Sequence, residues 1–232
     1  MELTFKEWID FEFPINEVII GGSDYIQCKG YKGSDSPQDH PIGLEPRILK
    51  SDFTNSIHLQ ASNIHLAYCN INCEGLRAKR RRRFDKAIHS HDFFTFEGFS
   101  TGSPVSHEEY FQSLLKHKFC ISPEGNGEDT HRHYESLLFK CIPIVQLPDD
   151  EYCLSRWNKK STIRQKYSSL PVLYTKNYES LTESYLLNQY ELMLDKKFNF
   201  SKLLKSYWVK TSKDLECNSN FWLKNFKNEE WI

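Results

Sequence analysis

Two short apolar runs constrain this chain most. KFCIS (118–122) and CIPIVQL (141–147) are continuous rather than alternating, the pattern of strands buried on both faces. Between them lie a glycine-containing loop, PEGNGED, and a helical stretch, THRHYESLLFK, whose Leu137 and Leu138 would hold it against a sheet. Strand, loop, helix and strand within about thirty residues make a βαβ unit, so the two strands are expected to run parallel.

The same alternation extends in both directions. EVIIGG (17–22) reads as a strand ending in a glycine turn, and 28–39, rich in Gly, Ser, Asp and Pro, reads as loop. PIGLEPRIL follows. Strands are expected over 64–71 and 92–99, with a helix over 75–88 whose apolar spacing falls on Leu76, Phe84 and Ile88. The polar break STGSPVSHEE (100–109) suggests a domain boundary. After it, HEEYFQSLLKH reads as a helix, LPVLYT (170–175) as a strand, 179–194 as a helix and the tail to Ile232 as mostly helical. The expected fold class is α/β with a parallel, doubly wound sheet, divided into residues 1–105, 106–205 and a tail, 206–232.

Composition narrows the function. The 232 residues are 39% hydrophobic and 14% aromatic, enough for a packed core. A formal charge of −1 argues against a protein that coats nucleic acid or anionic lipid with its surface. No apolar window is long enough to span a membrane, and the acidic start MELTFKEWIDFEF lacks the features of a signal peptide. Seven cysteines without a CxxC pair read as reduced, buried thiols, and a cytoplasmic location is expected. The basic run 77–83 reads as a solvated helix face, and HSHD (89–92), two histidines at i,i+2 with no third ligand nearby, makes a weak case for a metal site.

Packing alone does not call for the loop before the second helix. A helix N-terminus presents unpaired N–H groups and the positive end of the macrodipole, which suits an anion, most often phosphate. Gly125 and Gly127 would let the backbone approach a ligand, and Asp129 or Thr130 can cap the helix. His131, Arg132 and Glu135 fall on its first turns, with 131/135 and 132/135 sharing a face, while His133 is expected to face away. No lysine follows the glycines, so this is not a P-loop, and Thr130 stands where a dinucleotide fingerprint needs its third glycine.

The stretch KFCISPEGNGEDTHRHYESLLFKCIPIV resembles the signature of exostosin-like glycosyltransferases, family 47 and its short bacterial and viral relatives. Lys140 stands where that family has glycine, and Ser136 where it has alanine. The resemblance implies a GT-B-like fold, two Rossmann-like domains whose parallel sheets face each other across a cleft. It also implies transfer of a sugar from a nucleotide-diphosphate sugar, a UDP-sugar first of all, to a hydroxyl of an oligosaccharide or glycoconjugate acceptor. No metal cofactor would be required, and the anomeric centre would invert. The implied donor site comprises Ser122, Gly125, Asn126, Gly127, Asp129, Thr130, His131, Arg132 and Glu135, with Arg132 on the diphosphate and Glu135 on ribose or sugar hydroxyls. The base would come from the facing domain, from Asp24, Asp39, His40 or Glu45, with Asp39 and His40 preferred. Two other readings stay open. One is a metal-dependent GT-A enzyme, for which PDDE (148–151) is an off-pattern match; the other is a carbohydrate- or nucleotide-binding module without turnover.

Overall fold

The computed structural model describes residues 1–14, 17–18, 43–44, 60–71, 89, 91–125, 129–147, 161, 163–204 and 206–207. The expected loop 28–39, the helix 75–88, PDDE (148–151) and most of the strand 17–22 lie outside the described residues, as does the tail after Tyr207.

The chain begins with β1 (Glu2–Thr4) and α1 (Phe5–Asp10). In α1, Thr4 accepts from the Glu7 N–H while the Glu7 carboxylate accepts from the Thr4 N–H, a reciprocal cap that satisfies two donors at once. Then come β2 (His65–Cys69), β3 (Phe94–Phe96), α2 (His107–Lys116), β4 (His117–Ile121), α3 (His131–Leu138), β5 (Ile142–Gln146), α4 (Ile163–Lys166), β6 (Leu173–Thr175), α5 (Glu183–Leu194) and β7 (Lys197–Asn199). Ser106 and Glu109 repeat the reciprocal cap at the start of α2.

Strands β2 to β6 form one five-stranded sheet in the order β3-β2-β4-β5-β6, parallel throughout. The expected parallel α/β sheet is therefore present, and its central strands are apolar for the expected reason. Phe119, Cys120, Ile121, Ile142 and Ile144 are fully buried, each large side chain contributing about 1.5–3 kcal/mol. Strands on both sides of residue 105 share this sheet, so the boundary expected at 105/106 falls between hydrogen-bonded neighbours.

β1 pairs antiparallel with β7, an element the sequence reading placed in helix or left unassigned. The pairing docks the first fourteen residues on the core through an aromatic cluster. Trp8 stacks on Phe200 with ring centres 5.5 Å apart, and Phe5 meets Tyr190 edge-on at 5.3 Å. The indole N–H of Trp8 donates to the Leu137 carbonyl at 3.2 Å, at the end of α3.

The same helix end explains the departure at Lys140. The Cys141 N–H donates to the Ser136 carbonyl and the Lys140 N–H to the Leu137 carbonyl, a Schellman closure that needs a left-handed residue between them. Lys140 takes that position at φ +61°, where glycine would be unstrained. Its side chain turns back onto the N-terminal segment. The ammonium donates to the Phe11 carbonyl and lies 4.4 Å from the Phe13 ring centre, an arrangement glycine could not supply. Burial pushes the amine down to about 7, with Glu12 and Asp10 opposing the shift.

The sign of the consequence is fixed. The unfolded amine keeps its proton to about pH 10.4, so between pH 7 and that value the unfolded state binds more protons and stability rises with pH, by at most about 1.4 kcal/mol per unit from this group. Below pH 7 both states are protonated and the cost of burying the charge is constant. Urea denaturation at pH 7 and pH 10 should show that the change in stability on alkalinisation is more favourable in wild type than in Lys140→Met. Equal changes would show that Lys140 is not buried as described.

Candidate functional site

In chain order the sheet reads 2-1-3-4-5. The chain leaves β2 towards β3 at one edge and leaves β4 towards β5 at the other. Connections diverging from two adjacent strands leave a crevice beyond their carboxyl ends, where ligands of such sheets bind. The GNG loop and the start of α3 follow β4 directly, which places them at this switch point.

Beneath the loop, polar side chains bond to one another. Ser122 and His133 are both fully buried, with Ser122 Oγ 2.5 Å from His133 Nδ1 and Thr130 Oγ1 3.2 Å from the same nitrogen. His133 thus points into the fold rather than away. The reason is its place on the third residue of a helix that starts directly above the end of β4. Asp129 is tied on both oxygens. Oδ1 accepts from Tyr167, and Oδ2 accepts from Tyr134 at 3.1 Å and from Lys166 at 3.3 Å. The Asp129–Lys166 side chains are 10% and 8% exposed, so this pair links the loop to α4 from inside.

Thr130 occupies the N-cap position with extended backbone, but its side chain makes no capping hydrogen bond to the helix backbone. His131 Nδ1 lies 2.8 Å from the Gly43 carbonyl, which brings Gly43 against the helix start. Gly125 is described but is not among the residues with positive φ. Asn126, Gly127, Asp24, Asp39, His40 and Glu45 lie outside the described residues.

Arg132 and Glu135 share a face, as their spacing requires, and meet Tyr110 of α2. The guanidinium lies 5.6 Å from the Tyr110 ring centre, and Tyr110 O–H donates to Glu135 Oε2 at 3.2 Å. Burial disfavours the Arg132 charge, yet Tyr110, Cys120, Glu135 and Tyr68 around it hold its pKa above the ordinary value. Burial, followed by Glu135, drives the Tyr110 hydroxyl up, so this phenol remains a donor. Among the described residues no hydrogen bond or ion pair within 4 Å occupies the five N–H donors of Arg132. A cation fixed by stacking, with its donors unused, is prepared for an anion.

The carboxyl ends of β2 and β3 complete the crevice with residues the sequence reading missed. Asn70, 5% exposed, donates to the Tyr68 hydroxyl at 3.3 Å. Gly98, at φ +61°, lies so close that an added Cβ would sit 2.6 Å from Asn70 side-chain atoms. Glu97 Oε2 accepts from Ser113 Oγ at 2.6 Å. Their signal was positional: each is the first polar residue after an apolar strand run. The histidines of HSHD pack on rings, His89 on Phe96 and His91 on Phe93, and no group of three or more metal-type ligands occurs among the described residues.

Breaking the buried ion pair leaves Lys166 without its carboxylate, so Asp129→Ala should cost about 3–5 kcal/mol in denaturant unfolding. A loss within error of zero would mean that the loop is held by other contacts.

Among curated proteins none matches the chain. A family model, the RXYLT1 C-terminal domain, matches residues 97–216, just over half of the chain. The match runs from Glu97 through β4, the GNG loop, α3 and β5 to beyond α5, and so covers most of the crevice. The chain belongs to the RXYLT1 C-terminal domain family, a glycosyltransferase-related family of the exostosin-like type.

Proposed function

We propose that this domain transfers a sugar from a nucleotide-diphosphate sugar, a UDP-sugar, to a hydroxyl of a glycan acceptor, without a metal cofactor and with inversion. The observation that carries this reading is Arg132. It stands on the first turn of a helix whose N-cap side chain leaves the backbone uncapped, at the switch point of a parallel sheet, with no partner for its own donors among the described residues. A departing diphosphate needs donors aimed at its developing charge. The α3 N-terminus and a bidentate guanidinium supply them where a metal-dependent enzyme uses a cation. Glu135, 9% exposed and held by Tyr110, is placed to accept from ribose or sugar hydroxyls.

In this reading the five-stranded sheet is the donor-side half of a GT-B-like pair, and the acceptor approaches from the side marked by Gly43 at His131. The buried free thiols of Cys69, Cys120 and Cys141 suit a reducing, cytoplasmic setting.

The test is a thermal-shift panel of UDP, GDP and CMP and their sugar conjugates, with and without EDTA, on wild type and Arg132→Ala. One nucleotide diphosphate should raise the melting temperature of the wild type regardless of EDTA and fail on the variant. Turnover should fall about 10²–10³-fold, as for loss of one donor to developing charge. No shift from any nucleotide would refute the donor site. A shift only with Mn²⁺ would favour the metal-dependent class, and binding without turnover the non-catalytic module.

A further inference from the structure

We propose that Glu97 is the general base that takes the proton from the attacking hydroxyl. The inference rests on the donor site proposed above and adds to it the group that activates the acceptor. Three observations converge on this side chain.

Glu97 stands one residue beyond β3, on the carboxyl side of the sheet that carries Arg132. Its backbone is fixed on both sides. The Glu97 N–H donates to the Cys69 carbonyl at 3.2 Å, and the next residue is Gly98, left-handed and pressed on Asn70. The carboxylate is held at one end only. Ser113 Oγ donates to Oε2, the residue is half-buried, and among the described residues Oε1 has no hydrogen-bond partner. A base needs that combination: an oriented carboxylate with one lone-pair face open to the substrate.

Glu97 and Arg132 also bear on a common point. Burial is the main force raising the Tyr68 hydroxyl above its ordinary value. Cys120 adds to it and the bond to Asn70 opposes it; beyond these, Glu97 pushes the same hydroxyl up and Arg132 pulls it down. Both charges therefore act on one buried phenol of β2, the strand whose carboxyl end borders the switch point.

The step balances without a further reagent. The acceptor oxygen bonds to the anomeric carbon as the bond from that carbon to the β-phosphate oxygen breaks. The nucleotide diphosphate leaves with the electron pair, and the hydroxyl proton passes to Glu97 Oε1. Water can replace the acceptor, so UDP release from a sugar nucleotide reads the same step.

The experiment uses the whole chain with UDP-xylose, UDP-glucuronic acid and UDP-galactose, measuring UDP release across pH and the thermal shift by UDP. Glu97→Gln keeps an acceptor for Ser113 and should bind UDP as wild type does. Its UDP release should fall at least about 10²-fold and lose the decline that wild type shows on the acid side. Ser113→Ala frees the carboxylate without removing it, and should lose less activity while keeping the acid limb. Unchanged turnover in Glu97→Gln overturns the proposal, as does an acid limb that survives in it. Loss instead in Asp39→Asn or His40→Ala would place the base on that segment. A wild type that binds no nucleotide refutes the donor site itself, a failure distinct from the first.

Discussion

The pairing of β2 with β4 is the contact on which the rest of the molecule depends. It joins strands about fifty residues apart in the chain, sets Ala67 against Phe119 and Tyr68 against Cys120, and lies where the connections diverge. Ser122, Arg132 and Glu135 follow β4, and Asn70 and Glu97 follow β2 and β3. Parallel pairing aligns the carboxyl ends, so loops from distant stretches open at one level. Without this ladder, Asn70 and Glu97 would have no fixed relation to Ser122, Arg132 or Glu135.

Helix α3 carries the second constraint, and its two ends are treated in opposite ways. At the carboxyl end the last carbonyls are taken up: Glu135 by the Phe139 N–H, Ser136 by Cys141, and Leu137 by both Lys140 and the Trp8 indole. The lysine ammonium near that end also suits the negative pole of the helix. At the amino end the N-cap side chain turns away to His133 and leaves the backbone donors uncapped. A helix eight residues long has little stability of its own, and packing at its far end lets the near end do without a side-chain cap. The N-terminal arm thus supports a site it does not touch.

The sheet was largely legible because buried parallel strands announce themselves. FCIS and IPIV admit few other readings, and α2 and α3 showed their apolar spacing plainly. The motif HRHYE also placed Arg132 and Glu135 on one face, where Tyr110 meets them. Legibility failed where the deciding partner is remote in sequence. His133 was turned outward because nothing local reveals that Ser122 waits beneath it. The pairing of β1 with β7 spans almost the whole chain, although the capping signature TFKE could have disclosed α1.

The motif itself divides by what its polar atoms already do. Ser122, Asp129, Thr130 and His133 spend their hydrogen bonds on one another and on Tyr134, Lys166 and Tyr167. Recruiting any of them to a ligand would leave a buried partner unpaired, at about 1–3 kcal/mol each. Arg132 faces no such conflict, since stacking on Tyr110 holds it without using a donor. Glu97 is anchored through one oxygen by Ser113, and among the described residues no hydrogen bond takes the other. A motif of this kind therefore contains a scaffold and a contact surface, and residue type does not separate them. Hydrogen-bond accounting does: the groups left over once the fold has satisfied itself are those with bonds to offer a substrate.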